Sequence, residues 1–412
     1  MAETFVIVGA GQAAAQAVDS LHRDGFAGRL VVVGDEPYPP YQRPPLSKKF
    51  LAGELPLERL AVKPAAFYDT AGAELRAGLR AEGLDLARRA VLLADGERLV
   101  YDRLLLATGS APRKVTLPGH DLVGVHYLRT IADVDRIRAE LVPGARVAVV
   151  GGGYIGLEVA ATCRGLGHEV EVLEMTERLM SRVVAPAVSA FYAAEHARAG
   201  VRVHVGAEVA AFVPHAADSR RVGAVATRAG ASIAADVVVV GVGVVPNTGL
   251  AAAAGLACDN GIAIDTHCRT SDPCVYAAGD CASQPSLRYG RRVRLESVDN
   301  AFEQARTAAA NMRGGSVVHD KVPWFWSDQF DLKLLIVGLS HGHDEVVLRG
   351  HPESRSFACC YLRAGELLAV DCVNSPKDYM AAKKLIAERV RCDRARLADA
   401  AIALKDTVVG EA

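Results

Sequence analysis

Two stretches decide the fold of this chain: TFVIVGAGQAAA at residues 4–15 and RVAVVGGGYIGLEVAAT at residues 146–162. Each passes from an apolar run of strand length, through a glycine-rich turn, into a segment with helical spacing. A further apolar run follows each one, LVVVGDE after the first and VEVLE after the second. A dinucleotide fold requires this order of strand, turn, helix and strand, and its repetition predicts two dinucleotides bound by one chain.

The residues of the first turn have distinct tasks. Gly9 allows the tight turn, and Gly11 lets backbone N–H groups approach a pyrophosphate at the positive end of the helix. Ala14 stands where a third glycine usually lies and still permits close packing of the helix on the strand. The acidic pair Asp35-Glu36 follows the second strand, where a carboxylate can accept a hydrogen bond from a ribose hydroxyl.

The second turn, GGGYIG at residues 151–156, has all three glycines of the pattern, and we expect a helix over residues 157–166 after it. Glu174 ends the strand that follows. A carboxylate there accepts from the 2′-hydroxyl of a nicotinamide dinucleotide and repels a 2′-phosphate, which predicts NADH rather than NADPH. Arg178 lies four residues further on and is expected to counter that preference in part.

Three more apolar runs end in residues suited to a cofactor site. LLLATGS at residues 104–110 ends in Thr108-Gly109, and DVVVVGVGVVPN at residues 236–247 carries the segment GVG at 241–243. VYAAGDC at residues 275–281 brings Asp280 to a strand end, where its carboxylate can meet a ribityl or phosphate-linked hydroxyl. Each run alone could be an ordinary buried strand, but their order makes a cofactor role much harder to dismiss.

Composition excludes several classes of protein. The 412 residues suggest two or three domains, and 50% hydrophobic with 23% charged residues is ordinary for a globular chain. A formal net charge of −1 disfavours a protein that coats nucleic acid. The longest apolar strand-like run, residues 237–245, is far shorter than the roughly 20 residues of a spanning helix. The first residues run directly into a strand without a basic leader, so we expect no membrane association and a cytoplasmic location.

The nine cysteines do not form a recognisable site. Their number is odd and no CxxC pair exists, which argues against a disulfide framework and against zinc or iron–sulfur ligation. We expect them to be small buried hydrophobic side chains in a reducing compartment, and we predict no metal site.

The order of these motifs resembles that of the two-dinucleotide flavoprotein reductases, the glutathione-reductase-like superfamily. Within it the chain is most similar to NADH-dependent reductases of [2Fe-2S] ferredoxins, of the putidaredoxin reductase type, over about residues 4–408. The motifs that carry the resemblance are RPPLSK (43–48), HYLRT (126–130), GGGYIGLEVAAT (151–162), PAVSAFY (186–192), AAGDC (277–281), ESVDNAFEQAR (296–306) and PWFWSDQ (323–329). RPPLSK and PWFWSDQ are much more discriminating than the glycine motifs.

The resemblance implies an α/β fold with two Rossmann-like dinucleotide-binding domains, for FAD and NAD, and a C-terminal α+β domain. The FAD domain would be built from residues 1–112 and 242–318. The NAD domain, residues 113–241, would be inserted between them. Residues 319–412 would form the third domain and cover the flavin.

The resemblance also implies which residues hold the cofactors. For FAD these are Gly9, Gly11, Ala13, Ala14, Asp35, Arg43, Lys48, Ala81, Thr108, Gly109, Arg129, Gly279, Asp280, Val298 and Trp326. For NADH they are Gly151, Gly153, Tyr154, Ile155, Gly156, Glu158, Glu174, Gly241, Val242 and Gly243.

Three of these residues are candidates for the hydride-transfer step. Lys48 resembles the lysine that faces flavin N5, and Glu158 is expected to pair with it and to reach the carboxamide side of the nicotinamide. Tyr154 resembles the aromatic residue that swings aside for the nicotinamide. The alternatives are a solvated lysine beside Lys49 and a tyrosine that simply packs in the core. Trp326 is expected beside the isoalloxazine, with core packing as its alternative.

What the sequence lacks points to the electron acceptor. Disulfide reductases of this superfamily have a CxxxxC pair, and NADH oxidases and peroxidases one cysteine, in the region that here reads YPPYQRPPLSKKF, residues 38–50. Electrons must therefore leave the flavin directly, and a one-electron carrier is the natural acceptor. The resemblance implies a [2Fe-2S] ferredoxin that serves a cytochrome P450 or a ring-hydroxylating dioxygenase.

Arg306 and Lys405 match basic positions that similar reductases use to hold an acidic ferredoxin; a solvated helix residue is the alternative for each. Rubredoxin, a quinone or another small acceptor remains an alternative to ferredoxin. A flavin-binding signalling or DNA-associated protein, like the apoptosis-inducing flavoproteins, is disfavoured because no targeting segment or basic surface is evident. The oligomeric state stays open between monomer and dimer.

Overall fold

The computed structural model of the chain describes residues 2–409, which divide into two compact units. The first unit comprises the residues up to Arg43, Leu57–Ala111 and Val244–Pro323, and the second comprises Pro44–Pro56, Pro112–Gly243 and the residues from Trp324 onward. Within residues 2–409, none of the helices has the length and apolar character needed to cross a bilayer.

The helices and strands of the described residues are numbered along the chain. The α-helices are α1 Gln12–Arg23, α2 Ala65–Thr70, α3 Ile131–Glu140, α4 Tyr154–Gly165, α5 Pro186–Arg198, α6 Gly249–Ala253, α7 Val298–Met312, α8 Pro376–Ala387 and α9 Arg394–Ala398. The 3₁₀ helices are Pro44–Ser47, Leu57–Leu60, Pro352–Ser354 and Leu404–Thr407. The first thirteen strands are β1 Thr4–Val8, β2 Arg29–Gly34, β3 Ala73–Ala77, β4 Ala81–Asp85, β5 Ala90–Leu93, β6 Arg98–Val100, β7 Arg103–Leu106, β8 Ser110–Pro112, β9 Val125–Tyr127, β10 Arg146–Val150, β11 Glu169–Glu174, β12 Arg202–Val205 and β13 Val209–His215. The others are β14 Asp218–Thr227, β15 Ser232–Ala234, β16 Val237–Val240, β17 Val244–Pro246, β18 Ile262–Ala263, β19 Val275–Ala277, β20 Ala282–Ser286, β21 Arg291–Val293, β22 Trp324–Gln329, β23 Leu332–Gly338, β24 Glu345–His351, β25 Ser356–Arg363 and β26 Glu366–Val373.

The first unit is organised by a parallel sheet in the order β19-β7-β1-β2-β3. After their first residues, its central strands β7, β1 and β2 are apolar because both of their faces are covered, and Phe5, Val6 and Ile7 of β1 are fully buried. Two small three-stranded sheets, β4-β5-β6 and β18-β20-β21, and the pair β8-β17 complete the unit.

The second unit repeats the parallel plan in the sheet β12-β11-β10-β16-β9 and adds two antiparallel sheets. One is the three-stranded sheet β13-β14-β15, and the other is the five-stranded C-terminal sheet β22-β23-β26-β25-β24. Two parallel sheets and a separate C-terminal antiparallel sheet with helices confirm the predicted fold class.

Most predicted elements lie where the sequence placed them, and helix ends account for the differences. The second-turn helix was expected from residue 157 but begins at Tyr154, because Gly153 takes an extended backbone and serves as its N-cap. Arg306 lies inside α7, which continues to Met312, beyond the end of the motif ESVDNAFEQAR. The segment Pro44–Pro56 groups with the second unit, and the four predicted domain segments remain a prediction.

The cysteines follow the expectation with one exception. All nine fall within the described residues and have free thiols, and eight of them are buried. Cys258 is exposed, so the prediction of a buried side chain is wrong at that position. It lies just after α6, on the short stretch before β18, where the chain runs over the surface.

A buried guanidinium holds the last helices against the C-terminal sheet. Arg349 of β24 is only 4% exposed, and its Nε donates to a carboxylate oxygen of Asp378 at 3.1 Å. Its two terminal nitrogens donate to the backbone carbonyls of Leu397, Asp399 and Ile402. Removal of this side chain would leave one oxygen of the partly buried Asp378 carboxylate and three backbone carbonyl groups without this donor.

We therefore expect Arg349→Met to lower the free energy of unfolding by about 3–5 kcal/mol, measured by urea denaturation. Arg363→Met is the matched control, since Arg363 is exposed at the end of neighbouring β25. The control should change stability by no more than about 0.5 kcal/mol. Equal effects of the two substitutions would contradict the structural role of Arg349.

Candidate dinucleotide sites

The first turn forms an open cradle at the start of α1. Gly9 has a φ of +108°, and a Cβ there would lie 2.2 Å from the carbonyl oxygen of Ala107, so only glycine fits. Gly11 is the N-cap of α1, and no side chain of the described residues caps it. A Cβ at Gly11 would meet nothing within 4 Å. The first N–H groups of α1 thus open onto free space, as an anion site requires.

The ends of β7 and β19 meet this cradle, as the parallel order predicts. The hydroxyl of Thr108 donates to the carbonyl of Asn247 at 2.7 Å, and Gly109 has a φ of +66°. The hydroxyl of Ser110 donates to Asp280 at 2.8 Å. Several predicted FAD residues are therefore brought together at one end of the first parallel sheet.

Gly279 lies between two helices of the same unit. A Cβ there would stand 3.6 Å from the Cβ atoms of both Ala13 and Ala301, and its N–H donates to Gln304 Oε1 at 2.8 Å. Ala14 is fully buried against the sheet. The predicted FAD residues Ala13, Ala14 and Gly279 therefore set the close packing of α1 and α7 on the sheet.

The acidic pair after β2 is divided between two environments. Asp35 is exposed, whereas the Glu36 carboxylate accepts from the Tyr41 hydroxyl at 2.6 Å and from Arg43 at 2.8 Å. Asp35 stays a prediction for the ribose, while Glu36 and Tyr41 hold Arg43, the first residue of RPPLSK. The sequence indicated Arg43 only through the resemblance.

Two further predicted FAD residues begin elements of the first unit. Ala81 is buried at the first position of β4, and Val298 opens α7 directly after Ser297, whose side chain caps the helix. Arg129 belongs to the second unit, where its backbone N–H donates to Asp133 at 3.0 Å beside the capping box of α3. Their roles toward a cofactor remain predictions.

The second turn repeats the open cradle at the start of α4. Gly151 has a φ of +110°, and a Cβ there would lie 2.4 Å from the carbonyl oxygen of Gly241. Gly153 is an N-cap with no side-chain hydrogen bond among the described residues and open space around its Cβ position. A Cβ at Gly156 would lie 2.1 Å from the Gly151 carbonyl oxygen, so the helix passes the turn closely.

Other predicted NAD residues surround this cradle. Ile155 is exposed in the first turn of α4, Val242 is half-buried, and Gly243 has a φ of +102°. Both cradles fit a dinucleotide diphosphate, because each offers uncapped helix N–H groups, glycine at the points of close approach and an adjoining strand end.

Glu174 is fixed at the end of β11 by backbone and side-chain donors. One carboxylate oxygen accepts from the Gly152 N–H at 2.7 Å, and the other accepts from the N–H and hydroxyl of Thr176, each at 2.7 Å. A carboxylate has about four acceptor positions, so one remains for a ribose hydroxyl.

Arg178 is bound by backbone carbonyls near Glu174. Its two terminal nitrogens donate to the carbonyls of Val184 at 2.8 Å and Ser181 at 2.7 Å. The guanidinium therefore braces the segment before α5, and its effect on nucleotide preference stays a prediction. Spacing along the chain could not reveal these backbone acceptors.

A buried polar cluster surrounds the predicted catalytic pair. Nζ of Lys48 lies 2.7 Å from Oε2 of Glu158, which also accepts from the Ser47 hydroxyl at 2.6 Å. The other oxygen, Oε1, accepts from the Ser327 hydroxyl at 2.8 Å. The predicted pairing of Lys48 with Glu158 is present, and the alternative of a solvated lysine is wrong. Ser47 and Ser327 were not predicted from the sequence, although they lie within RPPLSK and PWFWSDQ.

Aromatic rings lie close to this cluster. The ring of Tyr154 is 4.8 Å from that of Phe325, and its buried hydroxyl has no hydrogen-bond partner among the described residues. Burial raises the pKa of Tyr154, so the phenol is neutral. Trp326 is half-buried and stacks on Trp324 with centroids 5.5 Å apart, and Nζ of Lys383 lies 4.9 Å from the Trp324 ring centroid.

The two predicted docking residues are both exposed. Arg306 lies on α7, where one terminal nitrogen is 3.3 Å from a carboxylate oxygen of Glu303. Lys405 lies in the 3₁₀ helix Leu404–Thr407. Exposure leaves the side chains of both accessible to a partner, and docking remains a prediction.

Comparisons with known proteins agree with this architecture. Residues 3–305 match the pyridine nucleotide-disulphide oxidoreductase family, and residues 324–408 match the reductase C-terminal family. The chain is 43% identical over 407 residues to the 5,5'-dehydrodivanillate O-demethylase ferredoxin reductase subunit of Sphingobium sp. (strain NBRC 103272 / SYK-6), with 98% of each chain covered.

Two comparisons concern putidaredoxin reductase. The enzyme of Pseudomonas putida is 41% identical over 410 residues, covering 98% of this chain and 97% of the relative. The crystal structure of the covalent putidaredoxin reductase–putidaredoxin complex matches with a TM-score of 0.95 and 40% identity, with 98% of each chain covered.

The environment of Glu174 generates a prediction on nucleotide choice. Glu174→Lys removes the acceptor for a 2′-hydroxyl and supplies a cation for a 2′-phosphate, so kcat/KM should fall for NADH and rise for NADPH. We expect the ratio of the two values to change by about 10- to 100-fold, measured with both nucleotides at equal ionic strength.

Glu177→Lys is the control, because it makes the same change of charge at an exposed position of the same loop. If the two variants alter the ratio equally, general charge rather than the strand-end position selects the nucleotide.

Proposed function

The chain belongs to the pyridine nucleotide-disulphide oxidoreductase family, and from that premise we propose that it is an FAD-dependent NADH:ferredoxin oxidoreductase. Its cofactors are FAD and NAD(P)H. Two electrons arrive together as hydride and leave singly to a [2Fe-2S] ferredoxin, which serves a cytochrome P450 or a ring-hydroxylating dioxygenase. In the overall reaction, one NADH and two oxidised ferredoxins give NAD⁺, two reduced ferredoxins and one proton.

The Ser47–Lys48–Glu158 cluster is the observation that carries this proposal. The segment that holds redox-active cysteines in disulfide reductases here contributes a hydroxyl and an ammonium group, both bound to one buried carboxylate. Neither group can accept electrons. The segment instead contributes a positive charge beside its counter-ion, which supports direct electron transfer from the flavin without a thiol.

The thiols elsewhere in the second unit do not replace the missing pair. Cys163 is fully buried in α4, and burial raises its pKa to about 12. Burial likewise raises the pKa of Cys359 to about 12 and those of Cys360 and Cys372 well above the ordinary thiol value. A thiol that stays protonated at neutral pH is a poor nucleophile and a poor electron relay.

The residues divide the work of the reaction among them. The N-termini of α1 and α4 bind the two diphosphates, and Glu174 accepts from the nicotinamide dinucleotide's ribose. When bound, the flavin accepts hydride from the nicotinamide and donates electrons one at a time. Lys48 and Glu158 hold a fixed pair of opposite charges beside that exchange.

Tyr154 is suited to act as a gate for the nicotinamide. Its ring packs on Phe325, and the hydroxyl has no partner among residues 2–409. Rotation of the side chain therefore breaks no side-chain hydrogen bond and gives up only ring packing. The alternative of a purely structural tyrosine fits less well, since a buried hydroxyl without a partner costs stability.

Trp326 and the exposed basic residues are suited to the second half-reaction. The stacked pair Trp326–Trp324 offers an aromatic path through the C-terminal domain. Arg306 and Lys405 present positive charge to an acidic partner, whose approach is accelerated by long-range attraction. Core packing is the alternative role for Trp326.

We further propose that the enzyme works in the cytoplasm as a monomer. A dimer is the alternative state, and light scattering would distinguish the two.

The purified protein should show the absorption bands of oxidised flavin, and NADH added without oxygen should bleach them. A [2Fe-2S] ferredoxin added next should restore the bands as its own cluster is reduced. Stopped-flow absorbance follows both steps. Protein that stays colourless after incubation with FAD, or coloured protein that NADH does not bleach, would contradict the proposal. Reoxidation by rubredoxin or a quinone but not by ferredoxin would support the alternative acceptor.

Charge reversal at Arg306 tests docking. At low ionic strength, Arg306→Glu should slow ferredoxin reduction by about tenfold or more, and high salt should abolish the difference from the parent enzyme. Hydride transfer from NADH should not change.

Arg220→Glu is the matched control for this experiment. Arg220 is exposed and lies 3.2 Å from its neighbour Asp218, much as Arg306 lies beside Glu303. An equal loss of rate in the control would mean that overall charge, rather than the position of Arg306, governs the encounter.

A further inference from the structure

A continuous row of buried polar side chains leads away from the Lys48–Glu158 pair. Oε1 of Glu158 accepts from Ser327 at 2.8 Å, and the Ser327 oxygen accepts from the Gln329 amide at 3.2 Å. Oε1 of Gln329 lies 2.9 Å from Nε2 of His196. Ser327, Gln329 and His196 are all fully buried. The row joins α4 and α5 to β22, within the second unit.

The chemistry of each group fixes the direction of every hydrogen bond. An ionised carboxylate can only accept, so the Ser327 hydroxyl must donate to Glu158. The serine oxygen then takes its hydrogen bond from the Gln329 amide, which leaves the Gln329 carbonyl as an acceptor. His196 must therefore carry its proton on Nε2. All the donors of the row point toward Glu158.

The surroundings of His196 agree with this tautomer. Burial lowers the pKa of His196, although the Gln329 hydrogen bond and Glu195 act in the opposite direction, so the ring is neutral. Nδ1 is buried and has no hydrogen-bond partner in the described part of the chain, which suits a nitrogen without a proton. The ring centroid of Phe330 lies 4.9 Å from that of His196, in an edge-on arrangement.

The charged side chains near His196 are paired with one another and do not belong to this row of hydrogen bonds. Near His196, Glu195 is bound by Arg198 and Arg355, and Arg355 also binds Asp331. Glu158 faces Lys48 from the segment Pro44–Pro56 and the phenol of Tyr192 from α5; burial raises the pKa of Tyr192 and keeps it neutral. The Glu158 carboxylate is paired with the Lys48 ammonium and accepts hydrogen bonds from the hydroxyl groups of Ser47 and Ser327.

We propose that Ser327, Gln329 and His196 are positioning residues that fix the orientation and charge of Glu158 and, through it, the place of Lys48. This inference rests on the proposed function, in which that pair acts beside the flavin. Ser327 occupies one carboxylate oxygen, so Lys48 and Ser47 share the other. Without the Ser327 hydroxyl, the Glu158 carboxylate can rotate, and its charged form loses one hydrogen-bond donor. Ser327 and Gln329 of the motif PWFWSDQ would then have a role separate from that of its two tryptophans.

The first test substitutes Ser327. Ser327→Ala removes one of three donors to the Glu158 carboxylate. Loss of hydride transfer on the acid side of the pH profile should therefore begin about one pH unit higher. The midpoint potential of the bound flavin, titrated against pH, should show its inflection displaced in the same direction. Ser327→Thr keeps the hydroxyl and should restore both profiles.

Two further variants separate positioning from packing. Ser189→Ala removes a buried hydroxyl that donates to the Leu179 carbonyl and does not touch Glu158, so both pH profiles should stay at their parent positions. In a Glu158→Gln background, Ser327→Ala should no longer displace either profile, because the group that takes up the proton is gone. An undiminished displacement in that background would overturn the proposal.

The tautomer of His196 gives a readout that needs no flavin. Nitrogen-15 spectra of the histidine-labelled full chain, assigned with His196→Gln, should show a neutral ring protonated on Nε2, and Gln329→Leu should alter only that resonance pattern. A ring protonated on Nδ1, or a charged ring at neutral pH, would refute the directed row. Failure of NADH to bleach the parent protein, with the expected tautomer present, would instead count against the proposed function alone.

Discussion

The ion pair between Lys48 and Glu158 is the interaction around which the buried polar cluster of the second unit is arranged. The Glu158 carboxylate is only 4% exposed, and an ammonium and two hydroxyl groups bind it and offset the cost of its burial. Pairs of this kind add little net stability, since the loss of hydration offsets most of the attraction. Their value lies in geometry: three separate stretches of chain must converge before the charge can be buried. The Thr162 hydroxyl, which donates to the Ser47 carbonyl at 2.8 Å, adds a second tie between the same segment and α4.

The local parts of this arrangement could be predicted from the sequence, because their causes are local. A glycine at the end of β1 or β10 is required by the backbone itself, and the helix that follows opens its N–H groups wherever a glycine serves as N-cap. Ser327 and His196 escaped prediction for the opposite reason. Ser327 is 169 positions from Glu158, and nothing in PWFWSDQ distinguishes a serine that donates to a carboxylate from one on a surface. The hydrogen bonds of Arg178 also escaped prediction, because its acceptors are backbone carbonyls that carry no signal in the sequence.

The two cradles show how one local motif can be adapted to different dinucleotides. The N–H of Gly9 donates to the Val33 carbonyl, and that of Gly151 to the Leu173 carbonyl, so Gly34 and Glu174 occupy equivalent positions after those strands. In the first unit a Cβ at Gly34 would lie 2.4 Å from the Cβ of Ala10, and the position has no room for a side chain. In the second unit the same position holds a carboxylate bound to the turn. At this position, therefore, the second cradle has a carboxylate and the first has none; the acidic residues after β2, Asp35 and Glu36, lie one and two positions further on.

The exit of electrons is constrained by charge as much as by chemistry. With a net charge of −1, the chain as a whole does not attract an acidic carrier, so attraction has to come from local clusters of basic side chains. Arg306 is part of such a cluster, yet it shares Glu303 with Lys321, and each cation is partly neutralised before a partner arrives. A partner carboxylate would therefore compete with Glu303, which weakens the complex while leaving long-range attraction in place. For each NADH, two ferredoxins must dock in turn, take one electron each and dissociate. A weak complex suits this sequence better than a tight one, because slow dissociation would limit the overall rate.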